Sequence, residues 1–143
     1  VEAGRRVTAS GMKLSMMIIL GLAGAEGSER HALATAKAIN IIKPTHLSAL
    51  CLMLYRGSEL LDQYEAGKFN PLSPAGLMRE LKLIIENIDL PADRHCLFRS
   101  NHVSNYVQLA ATLPHDKQRL LRDIDYSIAQ LSKLKSWDVY NYN

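Results

Sequence analysis

Leu14, Met16, Ile18 and Leu20 alternate with Lys13, Ser15, Met17 and Ile19, and this two-residue period predicts a β-strand over Met12 to Leu20. The run turns apolar at successive positions as it proceeds, the pattern of a strand covered on both faces in a parallel sheet. Before it, residues 2 to 10 read as the end of a helix closed by Gly11. After it comes a turn with three glycines, Gly21 to Gly27, then Ser28 as N-cap of a helix from Glu29 to Lys43. Leu33, Ala36 and Ile39 lie on one side of that helix and Pro44 stops it. Leu47 to Leu54 reads as a second buried strand, so the order strand, helix, strand predicts a βαβ unit.

Ser58 and Gly67 bracket a short helical pattern, Glu59 to Glu65. Ser73 caps and Pro74 opens a longer helix in which Leu77, Leu81, Ile84, Ile85 and Ile88 recur at helical spacing, with Asp89-Leu90-Pro91 ending it. His95 to Phe98 is a short candidate third strand, Asp116 begins a last amphipathic helix through Leu131, and Trp137 to Asn143 shows no period. The expected fold is α/β, with parallel strands alternating with helices: one domain over 1–135 and a polar tail over 136–143. A closed (β/α)₈ barrel takes about 250 residues, so the chain has the length of a partial, TIM-like barrel fragment. Three parallel strands would leave sheet edges exposed, which predicts a homodimer, swapped elements or helices leaning on the edges.

Composition adds mainly exclusions. With 48% hydrophobic and 22% charged residues, the 143-residue chain has the balance of a globular domain rather than a disordered or collagenous one. The net charge of +3 is spread over both halves, without the concentrated basic patch that nucleic acid requires. Cys51 and Cys96, far apart, match neither a disulfide framework nor a zinc site, which predicts a reducing, cytoplasmic setting and no metal site. The apolar run Met16 to Ala25 is about half of the roughly 20 residues a membrane helix needs. Val1 to Arg6 begins in mid-pattern, from which we expect a piece of a longer protein.

In parallel α/β folds the working groups collect beyond the carboxyl ends of the strands. Two segments qualify. Gly21, Gly24 and Gly27 are spaced three apart, which is not a dinucleotide fingerprint; they either admit a ligand close to the backbone or simply make a tight turn. Arg99-Ser100-Asn101-His102-Val103-Ser104-Asn105-Tyr106 follows the third strand, and every side chain in it except Val103 can hydrogen-bond. There Arg99 is a candidate anion clamp and His102 a candidate general acid or base, while Asn101, Ser104 and Asn105 are equally suited to turning the chain. His31, His46 and His115 read as structural or surface residues, Cys51 as a core residue, and Met12, Met16 and Met17 as core packing.

These segments resemble radical S-adenosylmethionine (radical SAM) iron–sulfur oxidoreductases, in a branch related to tRNA-modifying enzymes. The resemblance runs from Ser15 to Gly24, through His31-Ala32, Thr35-Ala36 and Ile39-Asn40, to Pro44-Thr45-His46-Leu47 and Leu50-Cys51-Leu52. It continues at Arg56-Gly57-Ser58, Tyr64 to Phe69, and Phe98 to Tyr106 with Thr112 to Lys117. It implies the carboxyl-terminal half of a partial barrel. The family's GxIxGxxE-like strand end, which packs on the adenine of S-adenosylmethionine, is matched at Ile19 and Gly21, but Gly24 stands where the acid belongs and Glu26 comes two residues late. The resemblance further implies adenine contacts from the backbone around Leu52, and a substrate wall of Arg99, Asn101 and His102. The family's three cluster-binding cysteines, CxxxCxxC, are absent from the chain. They would belong to a missing amino-terminal half, and with them the 4Fe-4S cluster. The fragment alone is then expected to be inactive and to hold neither cofactor tightly. A stand-alone α/β module binding a small ligand or a protein through Arg99 to Tyr106 is the alternative reading.

Overall fold

A computed structural model describes residues 1–133; the expected tail over 136–143 lies outside the described residues. The elements run α1 (Glu2–Ala9), β1 (Ser15–Leu20), α2 (Gly24–Ile42), β2 (His46–Cys51), α3 (Glu59–Glu65), α4 (Pro74–Glu86), β3 (Cys96–Ser100), β4 (Leu109–Leu113) and α5 (Lys117–Leu131). The fold is α/β, with a four-stranded, mostly parallel open sheet in the order β1-β2-β3-β4. The β1–β2 and β2–β3 pairings are parallel, in register Ser15↔His46 and Leu47↔Phe98.

The sheet departs from an all-parallel arrangement at its last strand. β4 pairs antiparallel with β3, Cys96 opposite Leu113 and Ser100 opposite Leu109. Only residues 101–108 connect them, too short for the crossover that a parallel strand requires, so the chain turns back on itself. The signal was present in Leu109-Ala110-Ala111-Thr112-Leu113, whose odd positions are buried, but at five residues it is no longer than many loops.

One face of the sheet carries the core. Ile18 and Leu20 of β1, Leu47 and Ala49 of β2, and Phe98 of β3 join a single buried cluster with Ala36 and Ile39 of α2, Leu81 and Ile84 of α4, and Leu120 and Ile124 of α5. The other face is bare: Met17 is 72% and Ile19 41% exposed. The expectation that β1 is covered on both faces, with Met12 and Met17 in the core, is therefore corrected, since Met12 is exposed as well. The helices α2, α4 and α5 share one core with the same set of strand positions, and Met17 and Ile19 stand exposed on the opposite side.

Local chemistry accounts for the helix ends. Ser58 Oγ accepts from Leu61 N–H, Ser73 Oγ accepts from Gly76 N–H, and Pro74 opens α4 where its missing N–H has no partner to lose. α2 begins at Gly24, earlier than the predicted Ser28 cap. The backbone supplies the difference: Ala25 N–H donates to Asn70 O at 2.7 Å, satisfying a first-turn donor that a side-chain cap would otherwise serve. Ser28 is thereby freed for another partner.

Candidate functional site

The carboxyl ends of β1 and β2 and the loop after β3 meet on the bare side of the sheet. Ile19, Leu50, Cys51, Leu52, Met53, Tyr55, His102 and Ser104 line a shallow hollow of about 170 Å³. A second hollow, of about 650 Å³, lies between α2 and α4 and is lined by Ser28, Glu29, Ser73, Arg79 and Glu80 among others.

The structure brings some of the sequence-predicted residues together and separates others. Ile19, Leu52 and His102 share the smaller hollow. Gly21 forms the turn after β1 without lining the hollow; its φ is a left-handed +81°, and a Cβ there would come within 2.7 Å of Leu77 Cδ2, so both conformation and space require glycine. Gly24, also left-handed, packs against Asn70 O and the Phe69 ring. Glu26 is exposed on the first turn of α2, where its Oε1 accepts from Asn70 Nδ2 at 3.4 Å, away from the hollow. Asn101 is exposed and does not line the hollow. Arg99 stands on the bare face of β3, but its Nη1 donates to Phe98 O at 2.7 Å and to Ala111 O at 3.4 Å, which lays the guanidinium against its own sheet.

Within the polar segment after β3, Asn105 is the hub. Its Oδ1 accepts from Cys51 N–H at 2.9 Å, and its Nδ2 donates to Ala49 O at 2.8 Å and to Ser100 Oγ at 2.7 Å. Ser104 Oγ also accepts from Cys51 N–H, at 3.1 Å. The β2–β3 ladder pairs His46 to Ser48 only, so these side chains take over as hydrogen-bond partners for the upper end of β2. His102 Nδ1 accepts from Ser104 N–H at 3.2 Å and lies 2.8 Å from Ser104 Oγ, which holds the ring at the hollow's edge.

Sequence reasoning missed Glu80. Its residue is 2% exposed, yet it carries a carboxylate. Oε1 accepts from Gly21 N–H at 2.8 Å and lies 3.1 Å from His31 Nδ1, while Oε2 accepts from Ser28 Oγ. One carboxylate on α4 thus ties the end of β1, its turn and the first turns of α2. The signal was legible in principle: Leu77, Glu80, Leu81 and Ile84 fall on one helical face, and a lone acid among core positions needs buried partners. His31, read as structural, is one of them.

Both cysteines are buried in the helix-covered core, and burial pushes each thiol up to about 11; at Cys51 a backbone hydrogen bond from Tyr106 opposes this shift. The thiolate is the reactive form, so a thiol reagent at neutral pH should leave both cysteines unmodified in the native chain and label both after unfolding. Rapid native labelling would contradict the packing. The same shifts have a pH consequence: folding favours the protonated thiol, so its contribution is complete below about 9 and is lost as pH rises toward about 11.

Among the described residues, no group of three His, Cys, Asp or Glu side chains is placed to hold a metal ion, and no helix is long and apolar enough to cross a membrane. The fold and site together define an α/β protein with a one-sided sheet and a largely apolar strand-end hollow edged by His102 and Ser104. The chain matches no protein-family model and no curated protein.

Proposed function

We propose that this chain is the carboxyl-terminal part of a radical SAM iron–sulfur oxidoreductase domain, contributing part of the wall that faces cofactor and substrate. The observation that carries the reading is the sheet's one-sidedness. In a (β/α) barrel the helices form an outer ring and the strands present their other face to the interior, whereas doubly wound sheets are covered on both sides. Here α2, α4 and α5 share one core, and the opposite face presents Met17, Ile19 and Arg99. The hollow lies at the carboxyl ends of the parallel strands, where barrel enzymes work.

The residues fit the implied groups unequally. For S-adenosylmethionine, Ile19 and Leu52 offer an apolar wall against a planar base, with His102 and Ser104 at its polar rim. Bound there, the cofactor supplies the radical precursor for hydrogen abstraction; the chain's own part is to seat and orient it. At about 170 Å³ the hollow is smaller than the ~300–1,000 Å³ of a complete small-molecule pocket, as expected of a partial site. The 4Fe-4S cluster does not fit this chain. It takes three thiolates from one loop, whereas Cys51 and Cys96 sit on separate strands, inside the core, with raised thiol pKa values. The cluster ligands are assigned to the rest of the proposed parent.

The test has two parts. Titrated by calorimetry, the 143-residue chain should show at most weak affinity for S-adenosylmethionine and take up no stoichiometric iron; tight stoichiometric binding of either would overturn the partial-site reading. The coding sequence upstream should specify CxxxCxxC, and the full product reconstituted anaerobically should show iron–sulfur absorption. Failure to form a cluster would overturn the radical SAM assignment.

A further inference from the structure

The two edges of the sheet are treated differently. At the β4 edge, Thr112 N–H donates to Asp116 Oδ2 at 2.7 Å and Arg119 Nη2 donates to Ala110 O at 3.0 Å, so side chains at the start of α5 close the strand's outer hydrogen-bonding groups. The Thr112 bond also lowers the Asp116 pKa. At the β1 edge nothing comparable occurs among the described residues. Leu14 O accepts from Thr45 and His46 N–H, and Leu20 O accepts from Leu52 N–H, so the even positions of β1 turn toward β2. By alternation, Ser15, Met17 and Ile19 direct their N–H and C=O groups outward. Among the described residues, β2 is the only strand paired with β1.

The same strand gathers exposed apolar surface. Of the ten exposed large apolar side chains among the described residues, four (Met12, Met17, Ile19 and Leu22) fall within eleven consecutive positions around β1. Ser15 to Leu20 contains no charge and no proline, the usual devices that blunt an edge strand.

We infer that β1 is a self-association edge, on which a second copy of this chain pairs its own β1 antiparallel across a two-fold axis at Met17. Three features select a second copy. Pairing about Met17 sets Ser15 opposite Ile19 of the other copy and brings the two Met17 side chains together on the bare face. Lys13, the charge nearest the strand, then lies opposite the uncharged Gly21 of the other copy, so no like charges meet. With the β4 edge closed, β1 is the one edge left free among the described residues, so the contact is isologous and ends at two copies instead of growing into a fibre. The proposal concerns the 143-residue chain and stands or falls separately from the radical SAM reading.

Sedimentation velocity over a concentration series tests it. The chain should show a monomer–dimer equilibrium without larger species, and Met17→Lys, which sets two ammonium groups on the axis, should weaken the dimer at least tenfold. Tyr126→Lys, on the exposed face of α5, should leave it unchanged. Directly opposed residues in such a pair lie about 5.5 Å apart at Cα, within disulfide reach, so mild oxidation of Met17→Cys should yield a covalent dimer. The buried native cysteines supply little competing reaction. A chain that stays monomeric throughout, that forms open-ended oligomers, or whose dimer survives Met17→Lys while Met17→Cys fails to cross-link, would overturn the proposal.

Discussion

Replacing Glu80 with leucine should lower stability by about 3 kcal/mol, the loss expected when several buried donors are left without their acceptor. Leucine keeps much of the side chain's volume, so the measurement isolates the carboxylate instead of a cavity. The buried Gly21 N–H and the partly buried Ser28 hydroxyl lose their acceptor, and His31 loses its neighbour. Glu80→Gln retains one carbonyl acceptor and should be milder, at about 1 kcal/mol, the net worth of a typical hydrogen bond. Urea unfolding reads both, with a shifted midpoint at constant slope. A leucine variant as stable as the parent chain would mean that the network stabilises nothing. Ser28→Ala and His31→Gln test its arms, and each should shift the midpoint less than Glu80→Leu.

The second large effect belongs to Asn105→Ala, expected at about 2 kcal/mol because one side chain serves two backbone groups of β2 and a buried hydroxyl at once. Its signature is local. Hydrogen exchange at the Cys51 amide should accelerate more than exchange at Ile18 or Phe98, because Ser104 Oγ is the single remaining acceptor for that N–H. Uniform acceleration throughout the sheet would show that Asn105 acts on global stability alone. Asn105→Asp keeps the acceptor for Cys51 but removes both donors, and should fall between parent and alanine variant.

Glu80 and Asn105 illustrate how far the sequence was legible. Asn105 sat inside a segment already singled out for its density of polar groups, and its side chain and that of Ser104 are hydrogen-bonded to the backbone of β2. That Asn105 reaches back to Ala49 and Cys51 was not readable, because the partners are more than fifty positions away. Glu80 was passed over because helical periodicity weighs apolar positions and treats a lone acid as surface. The helices α3 and α4 were accurate at their N-caps, since Ser58, Ser73 and Pro74 act within one turn. Where the local signal was weak or misleading, the reading failed: β4 was missed, and α2 starts at Gly24 because a distant carbonyl, Asn70 O, accepts from its first turn.

By itself, then, the sequence determined the α/β class, the alternation of strands and helices through the third strand and most helix boundaries, because periodicity, capping residues and proline act over a few positions. Tertiary structure decided the direction of β4, the bare face beneath Met17 and Ile19, and the carboxylate joining Gly21, Ser28 and His31. Each of these depends on which distant segment supplies a hydrogen-bond partner or an apolar cover. No spacing within one segment encodes that.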